Sequence, residues 1–117
     1  MTTNPIEELT LALREFARER DWEKFHTPKN LAIALMVEAA EIAEHFQWLE
    51  TVESANLTES KRQQVALEVA DTLLYLLRFA DVLGIDPIDA ARRKMALNAE
   101  RYPIGKAYSR ATKHDEL

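Results

Sequence analysis

Apolar residues recur every three or four positions along most of this chain, and no stretch alternates apolar and polar in the manner of a strand. Ile6, Leu9, Leu13 and Phe16 predict a first helix over Ile6–Arg20. Asn4 is placed to cap it, Pro5 suits the first helical position, and Glu7 and Glu8 favour its positive end. The segment Asp21–Asn30, DWEKFHTPKN, breaks the pattern at Pro28 and reads as a loop carrying Trp22, Phe25 and His26. Aromatic residues in a loop either plug the edge of a core or wall a binding site, and spacing alone leaves both open. A second helix is expected from about Pro28 to Trp48, followed by the connection LETVESANL. Thr58 then caps a third helix running to Leu83, roughly 25 residues and roughly 37 Å. Gly84 supplies its stop, and Asp86 and Pro87 open a fourth helix that ends by Pro103. The reading is all-α: one helical domain over residues 1–103, with four to five helices, and a polar, loose tail over 104–117.

The second and third helices are apolar over more than one face, the mark of helices covered on several sides. A 117-residue globule has a radius of gyration of about 13 Å. A helix of that length overhangs it, so the bundle is expected to be completed by homo-oligomerisation, as a dimer or a dimer-of-dimers tetramer.

The apolar second helix carries Glu38 and Glu41 three apart; the third carries Glu68 and Asp71 at the same spacing. Glu38, Glu41, His45 and Trp48 fall within about 80° of one another, and Gln64, Glu68, Asp71, Tyr75 and Arg78 share a second stripe. Two such helices can aim four carboxylates at one point. With no cysteine in the chain, that is a hard-oxygen site suited to Mg²⁺ or Mn²⁺. Lys94, Asn98 and Arg101 form a polar stripe on the fourth helix, with charge complementary to phosphate. The plainer alternative is that these are the wet faces of amphipathic helices. Trp48 and Tyr75 within the acidic stripes argue against it, as does the scarcity of other polar surface on both helices. Glu44 lies at the stripe's edge with its role open. A di-iron bundle is a poor fit, because it needs Glu-x-x-His pairs, whereas Glu41 and His45 are four apart.

Composition narrows the classes further. A net charge of −5 speaks against a nucleic-acid partner. The chain shows no leader pattern at its start and no apolar run long enough to predict a membrane span, and it lacks cysteine, so a cytoplasmic location is expected. The final HDEL matches a retention address of the secretory pathway; with nothing to deliver the chain there, it is read as coincidence.

In these residues the chain resembles the all-α nucleoside triphosphate pyrophosphohydrolase superfamily, the MazG-like group, and within it the dCTP pyrophosphatase branch. The paired motifs read Glu38-Ala-Ala-Glu41 and Glu68-Val-Ala-Asp71. The surrounding words FHTPKNLAIAL, AEHFQW, DTLLYLL and KMALNAERYP follow the same branch in the same order, over about Trp22 to Pro103. The resemblance implies Mg²⁺-dependent cleavage of a deoxynucleoside triphosphate between the α and β phosphates, giving a monophosphate and pyrophosphate in nucleotide-pool house-cleaning. It makes Glu38, Glu41, Glu68 and Asp71 the metal ligands and catalytic group. It gives Trp22, Trp48 and Tyr75 to base and sugar, Lys94, Asn98 and Arg101 to phosphate, and His26 and Asn30 to substrate. Val37 stands where many MazG-like proteins have a further Glu; the dCTP branch shares this trait. The first helix shows no clear match, which leaves base choice open. The alternatives are a dUTP-directed or broad dNTP-directed relative, or a helical dimer that binds nucleotide without turnover.

Overall fold

The structure, a computed structural model, describes residues 4–117; residues 1–3, on which part of the leader reading rests, lie outside the described chain. Among the described residues there are six α-helices and no strand. These are α1 (Pro5–Glu19), α2 (Pro28–Glu44), α3 (Thr51–Ser54), α4 (Glu59–Val82), α5 (Pro87–Arg101) and α6 (Ile104–Ala107). Two 3₁₀ turns, Glu23–Phe25 and His114–Glu116, complete the set. None of the helices is long and apolar enough to cross a membrane.

Helix starts follow the capping chemistry. The Asn4 side chain accepts from the Glu7 N–H at 2.9 Å and Thr58 from Lys61 at 3.2 Å, while Asp86 accepts from both Ile88 and Asp89. Thr27 caps α2 by accepting from the Asn30 N–H. Gly84, at φ 69°, closes α4 in the left-handed conformation, which glycine adopts without the clash a Cβ brings.

The chain divides into two compact units, one through Gly84 and one from Ile85 to Leu117. In the first, α2 lies along α4, and α1 packs on α4 as well. Its fully buried apolar residues are Ala17, Leu31, Leu77 and Ala80. The face of α1 that turns inward is Ile6, Thr10, Leu13 and Ala17. Leu9 and Phe16, expected on that face, stand at its edge and keep 38% and 46% of their surface in solvent. Phe16 instead meets the Trp22 ring edge-on at 5.8 Å, with the Arg20 guanidinium 3.5 Å above its centre.

Two stretches differ from the expectation. The second helix stops at Glu44, four residues short of Trp48, because His45 and Phe46 bond three residues back, to Ile42 and Ala43. Those tighter bonds turn the chain out of the helix. The connection that follows contains α3, whose start is held by the Glu53 carboxylate accepting from the Glu50 N–H at 3.0 Å. In the second unit the stretch read as a loose tail holds α6 and a 3₁₀ turn, with the Tyr102 and His114 rings edge-to-face at 5.8 Å.

Candidate active site

Packing of α2 along α4 brings together carboxylates that are separated by up to 30 residues in sequence. Glu38, Glu41 and Glu68 each offer one oxygen, and these oxygens all lie within 4.8 Å of one another. All three side chains are half-buried. Glu38 Oε2 and Glu68 Oε2 are enclosed by protein and have no hydrogen-bond partner. An enclosed carboxylate oxygen without a donor is costly, so the pair suits a place that a cation could complete.

Protonation behaviour agrees. Burial pushes the Glu38 carboxyl up to about 7; the adjoining Glu41 carboxyl and the charges of Glu41, Asp71 and Glu68 add to the effect. Glu68 is raised as well, first by the Glu41 carboxyl and then by burial, with His45 opposing. His45 Nε2 lies 3.9 Å from Glu68 Oε1. An all-oxygen, multiply acidic set of this kind fits a hard divalent cation, which would neutralise the repulsion and satisfy both orphaned oxygens.

Asp71 stands outside the close set of three, yet its charge reaches both Glu38 and Glu68. On α4 it faces a neighbouring cavity of about 230 Å³. Leu13, Phe16 and Leu74 give that cavity apolar walls; Trp22, His26, Tyr75 and Arg78 supply rings and polar edges. The volume falls below the ~300–1,000 Å³ that holds a whole drug-sized ligand, so it suits one ring system with the remainder of the molecule outside. Trp22 serves both loop readings at once: it packs on Phe16 and walls the cavity, 43% exposed.

Trp48 and Asn30 lie outside that cavity wall. Trp48, beyond the end of α2, is 88% exposed and is not part of the cavity wall. The Asn30 side-chain amide donates to the Phe25 carbonyl at 3.0 Å, tying down the loop that carries His26. Lys94, Asn98 and Arg101 share one stripe of α5, in the second unit.

Arg78 is 9% exposed; its Nε donates to His26 Nδ1 at 3.0 Å and its Nη1 to Asp81 Oδ2 at 3.3 Å. Asp81 in turn accepts from Arg14 Nε at 2.7 Å and Nη2 at 2.6 Å, which holds its carboxyl below the usual range. The signal was present in the sequence, as an arginine at the end of the polar, acidic Gln64–Arg78 stripe.

Comparison with known proteins places this site in context. Residues 33–117 match the model of the MazG-like family. The chain is 41% identical over 114 residues to dCTP pyrophosphatase 1 of Homo sapiens, spanning 96% of this chain and 67% of that protein. It is 40% identical to the Bos taurus protein of the same name, over 96% of this chain and 68% of that one. A crystal structure of a pyrophosphatase from Archaeoglobus fulgidus DSM 4304 superposes with a TM-score of 0.83 at 44% identity, covering 88% of this chain and 96% of that one.

Proposed function

This chain belongs to the MazG-like family and is a nucleoside triphosphate pyrophosphohydrolase, and from that premise we propose that it cleaves dCTP, or a dCTP modified on its base, in a Mg²⁺-dependent reaction. The products are the deoxynucleoside monophosphate and pyrophosphate, and the role is nucleotide-pool house-cleaning in the cytoplasm. One observation carries the reading: Asp71 both walls a ring-sized cavity and lends its charge to the carboxylate cluster beside it. On this reading the base takes the cavity and the phosphates take the cluster beside it.

Glu38, Glu41, Glu68 and Asp71 would hold Mg²⁺, with Mn²⁺ as a substitute. Bound there, the cation supplies a Lewis acid for the phosphate oxygens. A carboxylate of the cluster accepts the proton of the attacking water. Trp22 and Tyr75 hold the base, with stacking worth about 1–3 kcal/mol, and His26 reads its edge. Lys94, Asn98 and Arg101, one stripe of α5, carry charge and an amide complementary to phosphate.

The working form is a homo-oligomer. Ile33, Met36 and Val37 form one exposed apolar stripe on α2, and Val69, Leu73 and Leu76 form another on α4. Trp48, 88% exposed, is further uncovered apolar area. A second copy of the chain is the simplest cover.

The test is turnover of a panel of deoxynucleoside and ribonucleoside triphosphates, including 5-modified dCTP, with pyrophosphate and phosphate measured separately. Pyrophosphate released fastest from a cytosine substrate supports the reading. Saturable binding of nucleotide with no turnover would overturn it.

A further inference from the structure

We propose that Arg78 is a positioning residue for base selection: its guanidinium holds His26 in the tautomer with hydrogen on Nε2, so that the cavity offers the base an N–H donor. This deepens the nucleotide-hydrolase reading of the same cavity and rests on it.

The geometry starts at the 3.0 Å bond from Arg78 Nε to His26 Nδ1. A guanidinium carries only donors and stays protonated. The bond therefore forms only if Nδ1 presents a bare lone pair, which in a neutral imidazole leaves the hydrogen on Nε2. A doubly protonated ring would set N–H against N–H; burial and the Arg78 charge both hold the His26 value below its ordinary one.

Arg78 is itself fixed. It is 9% exposed, and its Nη1 bonds to Asp81, which Arg14 on α1 grips with two short hydrogen bonds. The series Arg14, Asp81, Arg78, His26 thus links α1, α4 and the loop before α2, all three of which wall the cavity. With Nδ1 taken, the hydrogen-bonding group left to the ring is the Nε2–H. A base edge with a carbonyl or imine acceptor, as cytosine carries, complements it. A donor facing it instead, such as the N3–H that uracil carries where cytosine has an imine nitrogen, leaves both N–H groups unpaired, and an unpaired group in an enclosed site is what turns a single hydrogen bond into discrimination.

Side-chain ¹⁵N spectra of His26 in the full-length protein, together with steady-state kinetics, test this. The wild-type ring should show the Nε2–H pattern, and Arg78→Met should shift it to a tautomer mixture. The same substitution should raise KM for dCTP by about tenfold, the equivalent of one neutral hydrogen bond, while kcat stays within about twofold. Arg78→Lys, which retains a donor for Nδ1, should restore most of both, and it replaces Arg78→Met if the latter loses helicity. In a His26→Gln background the amide donates without help from position 78, so Arg78→Met should add nothing further to KM. A wild-type Nδ1–H tautomer, or an equal loss from Arg78→Met in both backgrounds, would overturn the proposal. A wild-type chain that hydrolyses no deoxynucleoside triphosphate would defeat the hydrolase reading instead, and the ¹⁵N spectra would still decide whether Arg78 sets the tautomer.

Discussion

Glu38 on α2 and Glu68 on α4 each enclose one carboxylate oxygen, Oε2, that has no hydrogen-bond partner, and both residues belong to the same 4.8 Å set of ligand oxygens. The two helices are therefore pressed together at a point where their side chains repel. Unpartnered, mutually repelling carboxylates at that point cost stability that a bound cation would restore.

Removing one of those charges should separate activity from stability. Glu38→Gln or Asp71→Asn is expected to lower turnover by roughly 100-fold or more, as befits loss of a metal-holding group. In chelator, Glu38→Gln should melt at or above the wild-type temperature, because repulsion is relieved. Turnover near the wild-type level, with Mg²⁺ present, would contradict the assignment of Glu38 to the metal.

The raised Glu38 value gives a signed pH effect. Between its ordinary 4.5 and about 7, the native protein holds a proton that the unfolded chain has released. Stability from this group therefore falls as pH rises through that window, and the full penalty is present above about 7. Thermal midpoints of wild type in chelator should decline relative to Glu38→Gln over this range. Added Mg²⁺ should shrink the decline. Parallel curves for the two proteins in chelator would show that Glu38 titrates normally.

Trp22→Ala tests the cavity wall. Loss of the ring should raise KM for the nucleotide by about tenfold or more, in line with a lost stacking surface. It should also destabilise the fold by about 0.5–1.5 kcal/mol through the broken edge contact with Phe16. Chemical denaturation and initial-rate kinetics on the same preparation resolve the two effects; an unchanged KM would assign Trp22 to packing alone.

Sedimentation at micromolar concentration tests the exposed stripes of α2 and α4. A dimer or tetramer is expected, and Leu73→Glu should dissociate it by placing an unpaired charge on an apolar interface. A wild-type monomer at that concentration would remove homo-oligomerisation from the account.

What spacing could fix, it fixed. Asn4, Thr58, Asp86 and Gly84 act locally, so each cap and stop was legible from its neighbours. Glu38 with Glu41 and Glu68 with Asp71 were legible as stripes, because three residues on a helix always share a side. The same rule hid a distinction: Asp71 sits about 60° round α4 from Glu68, enough to face the cavity instead of the close oxygen set. The end of α2 was hidden as well. HFQWL continues the apolar pattern without Gly or Pro, and only the backbone bonds of His45 and Phe46 reveal the turn that leaves Trp48 in solvent. The link from Arg78 to His26 spans 52 positions and depends on how α4 meets the loop, which no periodicity encodes.

The cavity's walls are unequal in what they can tolerate over generations. Asp71 is shared with the acidic cluster, and His26 and Arg78 are bound into the series that ends at Arg14. Leu13 and Leu74 touch the same space without such ties. Lineages diverging towards a new base, or a laboratory selection for one, will therefore find their accessible steps at these apolar positions, while Asp71, His26 and Arg78 stay fixed by their other obligations.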